Sequence, residues 1–292
     1  MSNSLGYLAR ALAPLRPLRI VDVGANPIEA PPYAALLRRG LAQVWGFEPH
    51  PEAAEHLRAR ASEGVTVIEA AVGLPGRAVF NAYPAAEMSS LYKLSATSIG
   101  YLGHFRRHLD SEVAVEVTLN SLDAMEDVPD IDCLKVDAQG AEVDVITGAR
   151  VKLAQAVAVV AEMRFYRLYD GEPALHDLDR TLRDLGFVLH RFIAPKSRML
   201  GNSQAARLNR RAVGSQLIDG DAVYIRNLED RAAVTDEQLS HLALLADGMF
   251  GSHDLALWCL DELAARDRVP GKAAAKYVDK LPEGLKAEGA SA

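Results

Sequence analysis

The chain has 292 residues, 49% of them hydrophobic and 24% charged, enough to bury a full core as one large domain or as one domain with an appendage. Its formal net charge of −7 argues against a broad nonspecific nucleic-acid surface, which needs clustered Lys and Arg, so a small-molecule partner is expected. No apolar run reaches the ~20 residues of a membrane helix. Pro14 and Pro17 interrupt the apolar N-terminal stretch, which leaves no signal-peptide core, so a cytoplasmic location is expected.

In chain order, Leu18 to Val23 is a β-branched run ending at Gly24, and Tyr33 to Arg39 has helical apolar spacing closed by Gly40. Gln43 to Phe47 predicts a second strand. Pro51 to Ala61 predicts a helix with proline at a permitted first-turn position and Glu52 and Glu55 near its positive end. Val65 to Val72 predicts a third strand, and Ala78 to Tyr83 alternates as an edge hairpin strand does. Pro84 to Asp110 is long for a connection and rich in Ser and aromatics, the character of a lid or binding loop. Val113 to Leu119, Ile131 to Val136, Ala156 to Met163, Phe187 to Phe192 and Ala222 to Arg226 complete the strands, with helices over Gly140 to Gly148 and Leu175 to Leu185.

This alternation predicts a doubly wound, mostly parallel α/β sheet with seven core strands. Beyond Asn227, the spacing of Leu239, Leu242 and Leu245, and of Leu255, Trp258, Leu260 and Leu263, predicts a helical hairpin packed on the domain or on a twin subunit. From Lys272 onward a frayed helix or disordered tail is expected.

The residues able to carry chemistry fall at strand ends. Asp22-Val-Gly24-Ala-Asn26-Pro27 forms a tight turn but lacks the three glycines that cradle a pyrophosphate, so a cofactor without one, such as S-adenosylmethionine, fits better than a dinucleotide. Glu48, between Phe47 and Pro49 at the end of the second strand, is placed to hold ribose hydroxyls. Lys135, Asp137, Gln139 and Glu142 crowd a strand terminus and helix start, where charged groups perturb one another's proton affinity; Glu142 can equally cap the helix. Glu162 faces the same crevice if its strand runs parallel, or pairs with Arg164 or Lys135. Asp137 is the first candidate for a base and Glu162 the second, with His190 behind them. Cys133 and Cys259 lack CxxC spacing and read as small buried hydrophobes, and no His/Asp cluster has metal-ligand spacing.

Asp22-Val-Gly-Ala-Asn26, Phe47-Glu-Pro49, Ala70-Ala-Val-Gly73, Ser89-Ser-Leu91, Lys135-Val-Asp-Ala-Gln-Gly-Ala-Glu142 and Glu162 together resemble the FkbM family of S-adenosylmethionine-dependent methyltransferases, over roughly residues 18 to 226. The resemblance implies a seven-stranded class I methyltransferase (Rossmann-like) sheet and methyl transfer, typically to a hydroxyl of a sugar, glycan or natural product. It implies that Asp22, Gly24 and Asn26 line the methionine end of the cofactor and that Glu48 with Pro49 borders the ribose. Ala70 and Ala71 would border adenine, with Ser90, Asp137 and Gln139 completing the cofactor site. Asp137, Glu162 and Lys135 are the catalytic candidates, and Ser89, Tyr92, Tyr101, His104 and Glu142 the acceptor-binding ones. Pro27 stands where the family continues with glycine.

The expected division is a helical lead-in over 1–17, the methyltransferase domain over 18–227 and a C-terminal helical extension and tail over 228–292. A homodimer through the Leu255 to Leu263 face is a further expectation. A nicotinamide-dependent oxidoreductase and a non-catalytic binding module on the same fold are the alternatives.

Overall fold

The computed structural model describes residues 3–25 and 30–287. Its main sheet is built from β1 (Leu18–Val23), β2 (Ala42–Phe47), β3 (Val65–Ile68), β7 (Cys133–Val136), β8 (Ala158–Arg164), β9 (Phe187–Arg198) and β10 (Gln216–Arg226), in the order β3-β2-β1-β7-β8-β10-β9. Strands β3, β2, β1, β7 and β8 pair in parallel, and β10 runs antiparallel to both β8 and β9. The order reverses between β1 and β7, and in open α/β sheets ligands bind at the carboxyl ends of the strands flanking that point. This is the expected seven-stranded doubly wound sheet.

Two expectations for the elements are corrected. The run Val65 to Val72 is not one strand: it breaks after Ile68, and Ala71–Val72 (β4) joins a separate three-stranded sheet with β5 (Gly76–Ala82) and β6 (Val113–Asn120), in the order β4-β6-β5. The edge-hairpin reading of Ala78 to Tyr83 thus finds its antiparallel partner in β6, beyond the whole Pro84 to Asp110 segment. That segment is no open loop. It contains α4 (Ala96–Leu102), capped by Ser95 accepting from Ser98 N, and buries Met88, Leu94, Ile99 and Leu102 with Leu168, Tyr169 and Ile218 in a core of its own.

Period-two alternation sorts the main sheet into two faces. Val21, Val23, Leu134, Val136, Val159 and Ala161 pack under α5 (Glu142–Thr147) and α6 (Leu175–Asp184). Leu18, Ile20, Cys133, Ala158, Val160, Val223 and Ile225 face the other layer, made by α1 (Asn3–Leu12), α7 (Asp236–Leu245), α8 (His253–Ala265) and α9 (Ala273–Val278). The face of α8 expected to meet a twin subunit is buried inside the chain: Leu255, Leu260 and Leu263 belong to this core. The stretch after Lys272, expected to fray or to be disordered, is anchored at α9, while residues 288–292 lie outside the described residues. Tyr277 is fully buried and donates to Asp247 Oδ2 at 2.7 Å.

The register with β8 is continuous from Asp219 to Ile225 of β10, whereas the β9 side of β10 carries irregularities between Leu217 and Asp219, Asp219 and Asp221, and Val223 and Tyr224. Among the described residues no helix is long and apolar enough to cross a membrane.

Candidate active site

The turn after β1 is set by close backbone approach. Gly24 has φ +81°, and a Cβ there would lie 2.0 Å from the carbonyl oxygen of Asp137. Gly24 N and Ala25 N both donate to Phe47 O, and Asp137 N donates to Val23 O at 2.9 Å, so the ends of β1, β2 and β7 are tied together. Glu48 follows β2. Its Oε1 accepts from His50 N at 2.8 Å, and burial raises its carboxyl above the usual range against that amide's pull. Asn26 and Pro27 lie outside the described residues.

Above this turn opens a cavity of about 420 Å³, the size range of small-ligand sites. Gly24 and Asp137, Glu48 and Pro49, Ala70 and Ala71, and Gln139 and Ser89 all line it. The structure thereby gathers eight of the sequence-predicted residues around one space. The other predicted residues sit elsewhere, each for a visible reason.

Asp22 is buried beneath the cavity, with one oxygen accepting from Tyr33 OH at 2.7 Å and the other from Lys135 Nζ at 2.9 Å. Burial works against the Lys135 cation, but Asp22 and Asp137 outweigh it and raise its pKa, so Lys135 is a held ammonium rather than a base. Ser90 is fully buried. Its hydroxyl donates to Gln139 O at 2.5 Å and accepts from Tyr92 N, fastening the Ser89–Tyr92 turn to the end of β7. Tyr101 is half exposed and packs on Tyr166, and His104 donates to Met199 O. His190 contacts Ser252 Oγ under the C-terminal helices, with its pKa lowered by burial. Cys133 and Cys259 are buried, and desolvation raises both thiols.

Behind Asp137 lies a connected polar network. Gln139 adopts a left-handed conformation, φ +49°, which aims its side chain back between two carboxylates. Its Nε2 donates to Asp137 Oδ1 at 2.7 Å and to Glu162 Oε2 at 2.9 Å, while its Oε1 accepts from Tyr169 OH and Arg164 Nη2. Arg164 pairs with Glu162, Glu172 and Asp219, and Lys196 reaches Asp219 at 3.0 Å. Burial, reinforced by Asp137, pushes the Glu162 carboxyl up to about 8. Glu142 is pushed up to about 7 by burial, although Ala138 N and Gly140 N donate to it. Asp137, Glu142 and Glu162 each bring an oxygen within 4.8 Å of the others, the parallel pairing of β7 and β8 setting Glu162 beside the crowded end of β7.

The sequence model of the family described as the Methyltransferase FkbM domain matches residues 22–189, more than half of the chain. The protein belongs to the FkbM methyltransferase family. No curated protein matches it. Solved structures are similar at a remote level. A magnesium protoporphyrin IX methyltransferase from Synechocystis with bound S-adenosylmethionine shares 11% identity at a TM-score of 0.38, with 76% of each chain covered. A putative tRNA (m1A22) methyltransferase from Streptococcus pneumoniae shares 13% at 0.37, covering 95% of this chain and 99% of that one.

The cofactor of this FkbM methyltransferase is S-adenosylmethionine, and the site fits it. A turn that tolerates no Cβ brings main chain to the cavity wall, an acid stands at the end of β2, and Ala70 and Ala71 form a small-residue wall on which a flat base can lie. Sequence reading passed over Asp219, Glu172 and Lys196, and treated Arg164 only as a neighbour of Glu162. Asp219 is 55 residues from Arg164, and only the antiparallel register of β8 and β10 sets them opposite each other.

Proposed function

We propose that the protein methylates a hydroxyl of a sugar, glycan or natural-product acceptor, with Asp137 as the base. The observation that carries this reading is the position of Asp137. Asp137 lines the cavity with its main chain beside Gly24, and its carboxylate is held by Gln139, which also grips Glu162. When bound, S-adenosylmethionine supplies an electrophilic methyl group on a sulfonium.

Everything else falls to the chain. Gly24 and the turn after it hold the methionine end, with Asn26 following in sequence, Glu48 and Pro49 hold ribose, and Ala70 with Ala71 backs adenine. Asp22 and Lys135 act as a buried brace under the turn rather than as direct ligands. Ser89, which lines the cavity, borders the side from which an acceptor enters, and the ring of Tyr92 packs behind it against Gly140. Holding the acceptor oxygen in line is worth several kcal/mol. As the oxygen takes the methyl group, its proton passes to Asp137. The Gln139 amide fixes the Asp137 carboxylate in one orientation, and Glu162, which favours its protonated form, spares Asp137 a second full negative charge alongside.

Calorimetric titration with S-adenosylhomocysteine tests the cofactor site, and turnover of Asp137→Ala with a competent acceptor tests the base. The expected result is binding by both proteins and transfer by the wild type alone. An Asp137→Ala variant that turns over normally would refute the assignment, and a wild type that does not bind S-adenosylhomocysteine would favour a non-catalytic module.

A further inference from the structure

The stretch between Asp184 and Asp219 contains Arg191, Lys196, Arg198, Arg207, Arg210 and Arg211 and no acidic residue, in a chain whose acids outnumber its Lys and Arg by 39 to 32. The fold sorts these six cations by place. Arg191 donates to the main-chain oxygens of Phe250 and Gly251, and Lys196 pairs with Asp219. Arg198 at the end of β9, and Arg207, Arg210 and Arg211 on the β9–β10 connection, are exposed, and none has an ion-pair partner among the described residues. Arg198 donates to Ser197 O and Arg207 to Gln204 Oε1, both neutral neighbours.

This connection leaves the sheet at the edge where the site lies. Because β10 runs antiparallel to β8, the chain between β9 and β10 emerges at the same sheet edge as the carboxyl ends of β1, β7 and β8. Its base is clamped to the far end of the Pro84 to Asp110 segment, whose first part lines the cavity through Ala86, Glu87, Ser89 and Leu91. Gly201 N donates to Leu102 O at 2.9 Å, His104 donates to Met199 O, and a Cβ on Gly103 would lie 2.5 Å from Gly201 Cα. Beside it Tyr101, 50% exposed, packs on Tyr166 with ring centroids 5.2 Å apart and bonds Gln216. This edge of the sheet therefore carries an aromatic face at the start of β10 and, on the chain leading into it, four guanidinium groups with no ion-pair partner among the described residues. Arginine forks match carboxylate and phosphate oxygens two at a time, and like charges gathered on one loop favour an anionic ligand.

We propose that the acceptor is an anionic saccharide, one bearing carboxylate or phosphate groups, which lies along the β9–β10 connection and presents a neutral hydroxyl to Asp137. The proposal rests on the methyl-transfer reading above. A saccharide suits this edge better than a nucleic acid, because four arginines from the end of β9 along the connection form a short track and the chain as a whole carries −7.

The test is calorimetry on the full chain with hexagalacturonate, a glycerol-phosphate-linked oligosaccharide, neutral maltohexaose and a single-stranded hexanucleotide. S-adenosylhomocysteine is titrated first and separately, so that failure of the methyl-transfer reading is scored on its own. The expected result is binding of one or both anionic saccharides, the two arms distinguishing carboxylate from phosphate, with affinity falling roughly tenfold or more between about 50 and 200 mM salt. A similar fall is expected in the triple variant Arg207→Ser, Arg210→Ser, Arg211→Ser, which should bind S-adenosylhomocysteine like the wild type. Equal binding of maltohexaose, undiminished binding by the triple variant, binding of the hexanucleotide in place of the saccharides, or no binding of any probe would each overturn the proposal.

Discussion

Gly24 is where a single atom decides the site. A side chain there meets the Asp137 carbonyl and must also adopt a left-handed backbone, so Gly24→Ala should cost more than the roughly 1–2 kcal/mol of the backbone conformation alone. Urea melts should register the loss, and the variant should fail to bind S-adenosylhomocysteine. Glu162 sets a pH dependence. With its carboxyl raised to about 8, the folded chain holds a proton there that the unfolded chain releases near pH 4.5, so this group's contribution to stability falls as pH rises between those values. The fall is at most about 1.4 kcal/mol per pH unit for one proton. Urea denaturation from pH 5 to 8 should therefore show a shallower decline in Glu162→Gln, and an unchanged slope would contradict the raised carboxyl. Gly24 and Glu48 were legible in sequence because a local turn and a strand end announce themselves. The brace role of Asp22 was not, since Tyr33 and Lys135 reach it from other elements.

At the scale of elements, periodicity located nearly every helix and strand, and its errors share a cause. The break after Ile68 and the antiparallel partnership of β5 with β6 are decided by which sheet a strand joins, and a local pattern does not encode that. The segment between Pro84 and Asp110 looked polar because its Ser side chains are visible in sequence, while its core is completed by Leu168, Tyr169 and Ile218 from distant positions. The C-terminal helices carried a plain apolar stripe, but the sequence left its partner open between the chain's own sheet and a second copy. Leu260 is fully buried against the chain's own core, so Leu260→Ala should cost about 2–5 kcal/mol in urea melts performed at any protein concentration. A loss that grew on dilution would instead point to a shared interface.

Across the whole molecule, one face of the sheet changes character along its strands. Ile20, Cys133, Val160 and Val223 are apolar, and two residues further toward the cavity edge stand Asp22, Lys135, Glu162 and Asp221 on the same face. The C-terminal helical layer covers the apolar positions, and the charged ones stand toward the carboxyl edge of the sheet, where Asp137 lines the cavity. Stability and ligand binding are thus coupled through one sheet. Saturation with S-adenosylhomocysteine at about 100 times its dissociation constant should stabilise the fold by roughly 2.7 kcal/mol, seen as a rise of several degrees in Tm. A Tm indifferent to the ligand would mean that the cavity does not take it.

The irregular pairing on the outer side of β10 gives this sheet a mechanical division of labour. The inner seam with β8, unbroken from Asp219 to Ile225, keeps Arg164 opposite Asp219 and Glu162 opposite Asp221, while the outer seam with β9 absorbs the misfit in three steps. A residue inserted into or deleted from the arginine-bearing connection can therefore be taken up by the outer strand. The connection is free to change length and charge, and the carboxylates around Asp137 stay in register.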